Sequence, residues 1–206
     1  MKAPKTDTTP RELVPEGNHV ATLYSIIYIG TVETPFRNED GSVKEQYKVR
    51  LSFELPNELR EFERDGEKVE LPMVISKECT FSMYKGSHTA QLRTIAHALI
   101  GTALKDEEAE SFDIDDLLGK SCMVEVSHEE YEGKKYGKAV GFGSIPKGLE
   151  VPEQVNKTHI VNVEETPIEE IDALPDFIKS KIKSSKEYRK RVGDDDDEIK
   201  AGDIPF

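Results

Sequence analysis

Residues Glu45 to Leu55 read EQYKVRLSFEL, and their alternation is the cleanest in the chain. Tyr47, Val49, Leu51, Phe53 and Leu55 fall on one face, with Lys48, Arg50, Ser52 and Glu54 on the other. Successive strand side chains point to opposite sides of a sheet, so this stretch reads as a half-buried strand with a basic outer face. Tyr47 and Phe53 are assigned to the core.

The neighbours extend the pattern. Upstream, Asn18 to Thr34 (NHVATLYSIIYIGTVET) is β-branched and aromatic, and long for a strand; Gly30 near its end marks a bulge or sharp bend. Asp40-Gly41 is the turn signal between the two strands. Downstream, residues 56–68 are polar around Asp65-Gly66 and read as a loop. Leu71 to Met83 alternates again, with Met73, Ile75, Cys79, Phe81 and Met83 on one face and Lys77 interrupting it at a bulge or an edge. The period then becomes helical: Leu92, Ile95, Ala96, Leu99 and Ile100 form one stripe, with Ser87 or Thr89 as cap and Gly101 as terminator. Ser121 to His128 and Tyr136 to Ile145 read as a hairpin turning through residues 132–135. In its second strand Gly137, Ala139, Gly141 and Gly143 share one face, and Tyr136, Lys138, Val140 and Phe142 the other, a glycine-rich side that allows tight coiling.

Three strands, a helix and two strands make the chain mainly β. That order is the topology of the OB-fold, a five-stranded barrel with a helix between strands three and four, whose surface and loops bind oligonucleotides. A small β-sandwich carrying one helix is the alternative. The expected organisation is a flexible arm over 1–17, the OB-fold nucleic-acid-binding domain over 18–149, a linker with a short basic helix over 150–193, and an acidic tail over 194–206. The helix, Leu174 to Val192, begins near Pro175, has a thin stripe of Ile178 and Ile182, and should dock weakly on the barrel or on a neighbouring subunit.

Composition sets the outer limits. The 206 residues carry a net charge of −13, so a nucleic-acid face must be a local basic patch, and its affinity should be steeply salt-sensitive. No apolar run approaches the 18 or so residues of a membrane span, and the first residues lack the apolar centre of a signal peptide, so a cytoplasmic protein is expected. Cys79 and Cys122 sit in apolar-alternating stretches and read as buried free thiols. The five histidines show no ligand spacing, and P-loop, GxSxG and HExxH motifs are absent. Asp113, Asp115 and Asp116 lack the glycine and distal glutamate of a calcium loop. No enzyme, metal or cofactor is expected.

Binding a single strand without regard to sequence needs cations for phosphates and aromatic faces for bases. Lys48, Arg50, Lys77, Lys85, Lys134, Lys135 and Lys138 are the candidate cations. Tyr28, Phe36, Tyr84, Tyr131 and Tyr136 are the candidate stacking residues, at strand ends or hairpin loops. The basic helix, with seven basic residues and one acidic between Lys179 and Arg191, either extends the DNA path or docks the tail.

The tail reads DDDDEIKAGDIPF from Asp194 to Phe206. Such a charged stretch does not fold alone, and it is expected to be disordered. Its tip has the make-up of a peptide ligand, an aromatic anchor beside a carboxylate. Asp203-Ile204-Pro205-Phe206 behind Asp194, Asp195, Asp196 and Asp197 resembles the C-terminal tip of bacterial single-stranded DNA-binding proteins. The resemblance implies DNA protection in replication, recombination and repair, with the tip recruiting partner enzymes. That family has a basic barrel, stacking tryptophans and a long linker. The acidic domain, the absent tryptophan and the short linker here make the chain look like a divergent member, encoded by a bacteriophage and acting in the host cytoplasm. The family's assembly does not carry over, which leaves a homo-oligomer open. The rival is an adaptor that binds no DNA and sequesters host replication and repair proteins through the tail.

Overall fold

The structure, a computed structural model, describes residues 12–64 and 67–193, apart from the side chains of 62–64. The tail residues Asp194, Asp195, Asp196, Asp197, Asp203, Ile204, Pro205 and Phe206 lie outside it, as does most of the 1–17 arm. Strands β1 (Gly17–Arg37), β2 (Val43–Arg64) and β3 (Glu67–Thr80) come first. Helices α1 (Gln91–Ile100) and α2 (Asp106–Glu110) follow, then a 3-10 turn at Ile114–Leu117. The chain continues with β4 (Ser121–Tyr131), β5 (Lys134–Gly143), β6 (His159–Asn162), and helices α3 (Ile168–Asp172), α4 (Asp176–Lys183) and α5 (Lys186–Val192).

Five antiparallel strands in the order β3-β2-β1-β4-β5 curl into a partial barrel. β1 is the hinge of the design. Its first residues, Gly17 to Thr22, pair with β4, whereas Thr22 to Arg37 pair with β2. Bulges between Leu23 and Ser25 and between Tyr28 and Gly30 let one strand serve both neighbours, because an extra residue bends a strand and increases its twist. Alternation over Val49, Leu51, Phe53 and Leu55 points these side chains inward. There they meet Leu23, Ile26, Ile75, Val124 and Ala139, with Leu92, Ile95 and Ala96 of α1 closing one side. Cys79 and Cys122 are free and buried in this core, and desolvation pushes both thiols up to about 12, which keeps them protonated and inert.

Three segments differ from the sequence expectation. β2 does not stop at Leu55. Its ladder with β3 shifts between Leu55 and Leu59, then resumes to Arg64↔Glu67. The arm has no core face, so its residues show no alternation to read; backbone pairing and the Lys68–Glu61 ion pair (2.6 Å) hold it instead. In β5, Val126 faces Ala139 while Glu125 faces Gly141, so Val140 is a bulge. The face therefore switches, and Phe142 turns inward opposite Val124, its ring 5.5 Å from Phe53. The N-cap of α1 is Ala90, without a side-chain bond, rather than Ser87 or Thr89; Gly101, at φ 81°, ends the helix.

The largest departure concerns residues 150–193, which are not a loosely tethered linker. Beyond Thr22, β1 loses β4 as a neighbour, and β6 takes the vacant edge in parallel, with Ser25 to Tyr28 facing His159 to Asn162. Ile27 and Ile29, on the outer side of β1, then meet Val161, Val163, Ile171, Ile178, Ile182 and Tyr188 in a second hydrophobic core. The expected single basic helix is two, α4 and α5, broken at Ser184-Ser185. The buried Ser185 hydroxyl caps α5 by accepting from the Tyr188 amide.

Two contacts lock this layer down. Glu54, fully buried, accepts hydrogen bonds from the amides of Val155 (2.8 Å) and Asn156 (2.7 Å) and from Asn156 Nδ2 (2.7 Å). At the other end, Glu187 accepts from the Thr31 amide (2.6 Å) and hydroxyl (2.7 Å). A Cβ at Gly30 would fall 2.6 Å from Glu187 Oε2 and 2.8 Å from Ser185 Cβ, so glycine is required for this approach.

Partial burial opposes the Glu187 charge, but the Thr31 bonds outweigh it and hold the carboxyl below its usual range. A carboxylate held lower in the folded chain stabilises it fully above the unfolded value of about 4.3, and the contribution disappears as pH falls through the folded value. The protection factor of the Thr31 amide should therefore drop in acid, below about pH 4, and Glu187→Gln should remove that acid-dependent step. Hydrogen exchange by NMR reads both; a wild-type profile identical to the variant's would contradict the assignment.

Candidate nucleic-acid interface

The loop and hairpin candidates lie toward the two ends of β1, and Lys48, Arg50 and Lys77 lie between them. The β1–β2 turn and the β3–α1 loop stand at one end. The β4–β5 hairpin runs past Gly17 at the other, since Gly17 faces Val126 and β4 continues to Tyr131. Between these ends β3 and β5 meet, where Lys77 reaches the Ala139 carbonyl and feels the charge of Lys138.

At the first end an aromatic row forms. Tyr28 and Phe81 meet edge-on at 5.3 Å between centroids, and Tyr47 lies 5.4 Å from Phe81. Tyr28 is not free to swing out. Its hydroxyl donates to Asp115 Oδ1 at 2.8 Å, and burial, then that bond, raises it well above the usual tyrosine value. Tyr47 is half-buried in this row rather than in the core; burial, followed by the charges of Glu164 and Glu187, pushes it up to about 12. Phe81 remains 42% exposed, Tyr84 57% and Phe36 67%, and Lys85 is exposed next to Tyr84. The alternation puts Phe81 on the same face as Cys79, but it lies past the end of β3 at Thr80, where the strand has outrun the core. Its nearness to the polar loop at residues 82–90 was the available signal.

The basic outer face of β2 is not open. Arg50 is half-buried, with its guanidinium 5.2 Å from the Phe177 ring centre of α4, and burial lowers its pKa. Its cross-strand neighbour Glu78 pairs with Lys181 of α4 at 2.6 Å. Lys48 donates to Gln46 Oε1 (2.6 Å) and lies 3.4 Å from the Thr80 hydroxyl. The second-core helices thus occupy the surface that the alternation of β2 offered to solvent. Their own cations are engaged as well, in Lys183–Asp172 (2.6 Å), Lys186–Glu45 (2.7 Å) and Lys179–Asp176 (3.0 Å).

Lys77 sits at an edge. It faces Leu51 across the ladder and donates to the Ala139 carbonyl of β5 at 3.0 Å, joining β3 and β5 where they share no ladder. Burial, then the charge of Lys138, lowers its pKa. The bond to Ala139 links the two strands and engages the ammonium group. At the second end, Lys138 pairs with Glu129 at 2.7 Å. Lys134, Lys135, Tyr131 and Tyr136 are exposed around a two-residue turn in which Glu132 and Gly133 both adopt positive φ, 51° and 73°, the form that suits a tight hairpin.

Among the described residues, no cluster of three or more His, Cys, Asp or Glu is placed to hold a metal ion, and no helix is long and apolar enough to cross a membrane. Compared with protein-family models and with curated proteins, the chain matches none.

Proposed function

We propose that the chain binds and protects single-stranded DNA on an OB-fold barrel and recruits replication, recombination or repair proteins through Asp194 to Phe206. The barrel assignment draws on β1 shared between β2 and β4, on β3 meeting β5 through Lys77, and on α1 between β3 and β4. The observation that carries the DNA reading is the exposure of the aromatic rings Phe36, Phe81 and Tyr84, with Lys85 sharing a cleft with Phe81 and Tyr84. Bases stack on such rings whatever their sequence, and cations alongside hold the phosphates. The DNA path suggested by the exposed groups starts there, and not on the covered face of Arg50. The reading places the protein in the cytoplasm, that of a host if a bacteriophage encodes it, without a cofactor.

Fluorescence anisotropy of a labelled oligo-dT tests this, with the full chain and a version ending at Gly193 at several salt concentrations. Binding should weaken steeply with salt and should persist or tighten without the acidic tail. No binding by either version at low salt would overturn the DNA reading. The adaptor reading, in which the tail sequesters partner proteins and no DNA is bound, would then lead. It is favoured by the net charge of −13 and by the number of candidate cations held by protein groups, Lys48, Arg50, Lys77 and Lys138.

A further inference from the structure

The geometry points to a nucleobase subsite in the cleft between the β3–α1 loop and α2, an inference that rests on the single-strand reading and specifies where one base of the strand goes. The cleft holds about 590 Å³, within the 300–1,000 Å³ typical of small-ligand sites. Phe81, Tyr84 and Phe112 supply aromatic walls. Tyr84 is held across the loop by a missing side chain: a Cβ at Gly86 would lie 1.8 Å from Tyr84 Oη and 2.3 Å from its Cζ.

Arg93, on α1, also lines this cleft although it is only 2% exposed. Its Nη1 donates to the Met83 carbonyl (3.2 Å), and Nη2 to the Leu104 carbonyl (2.7 Å) and to Asp106 Oδ1 (2.7 Å). Its Nε is buried and has no acceptor among the described residues. The three Nη bonds tie the β3–α1 loop, the chain before α2 and Asp106 together beneath the cleft. Asp106 and Glu110 line the same cleft and offer acceptors for a base N–H. Two carboxylates also keep a phosphate out of the cleft, and Lys85 is the cation left to hold it. The occupant is therefore a base stacked on Tyr84 with its phosphate toward Lys85, and not a free anion.

Anisotropy with labelled oligo-dT at moderate salt reads the prediction in three variants, each first checked for wild-type unfolding by urea. Tyr84→Ala should weaken binding about tenfold, the effect of one lost stacking contact. Tyr84→Phe should bind as wild type, because the ring is kept. Gly86→Ala should weaken binding too, because its Cβ displaces the ring without deleting it. Wild-type affinity in Tyr84→Ala would overturn the subsite and leave the DNA reading standing. Equal losses in Tyr84→Ala and Tyr84→Phe would overturn it as well, by assigning the effect to the hydroxyl. If the wild-type chain binds no oligonucleotide, both inferences fall together.

Discussion

Ile182→Asp should destabilise the protein by about 4 kcal/mol, since it adds an unpaired buried charge to the 2–5 kcal/mol lost when a buried aliphatic side chain is removed. Ile182 is fully buried in the second core, among Ile27, Ile29, Ile171, Ile178 and Tyr188, far in sequence from the strand it covers. Urea denaturation followed by circular dichroism measures the loss. Limited proteolysis locates it, with cleavage expected first between α3 and α5. A segment docked only weakly would behave differently: the barrel would unfold at the wild-type urea concentration. Such a result would remove the second core from the account of stability. The consequence for function is direct, because the same helices cover Arg50. If the variant retains a folded barrel at low urea, its outer face is newly exposed, and any gain in oligonucleotide affinity would identify α4 as a cover over a competent surface.

Glu54→Ala should cost about 3 kcal/mol, the scale of a hydrogen bond to a charged group combined with the penalty for donors left unsatisfied. Three N–H groups from Val155 and Asn156 converge on this one carboxylate, and among the described residues they have no other acceptor. Removing it frees the 150–158 strap, the chain that carries β6 to the edge of β1. Amide exchange at Val155 and Asn156 should rise together with the drop in the urea midpoint. A midpoint shift without faster exchange there would assign the loss to the core of β2 instead. Glu54→Gln keeps one acceptor oxygen but turns an NH2 group toward donors, so it should recover only part of the loss.

Much of the barrel is legible in local pattern. The alternation of Tyr47 to Leu55 identifies the inward face of β2, and Val49, Leu51, Phe53 and Leu55 are all fully buried. Gly30 marks the bulge in β1 at which α5 approaches. The helical stripe from Leu92 to Ile100 corresponds to α1, whose residues pack on the barrel core. Cys79 and Cys122 are free and buried, as expected from their apolar surroundings. These features depend on one segment and the single question of which of its sides is apolar.

Where pairing runs past the core, the pattern carries no signal. The β2–β3 arm beyond Leu55 reads as a loop because neither face meets a core, yet its backbone groups are matched by a ladder up to Glu67. Val140 and Phe142 show a second limit. One bulged residue reverses the inward face, and nothing in the spacing alone reveals it.

Sequence by itself determined the inward face of β2 from Val49 to Leu55, the amphipathic helix, the bend in β1 and the inert thiols, because each follows from the period or residue type within a short stretch. Tertiary structure alone decided which cations remain available. Arg50 and Lys77 alternate or interrupt like solvent-facing groups, but Phe177, more than a hundred residues downstream of Arg50, lies against one, and the Ala139 carbonyl accepts a hydrogen bond from the other. A residue pattern records the polarity of a face; it does not record what later folds against it. The thin stripe of Ile178 and Ile182 showed that this segment had something to bury, and only the fold located the partner, on the outer side of β1 at Ile27 and Ile29.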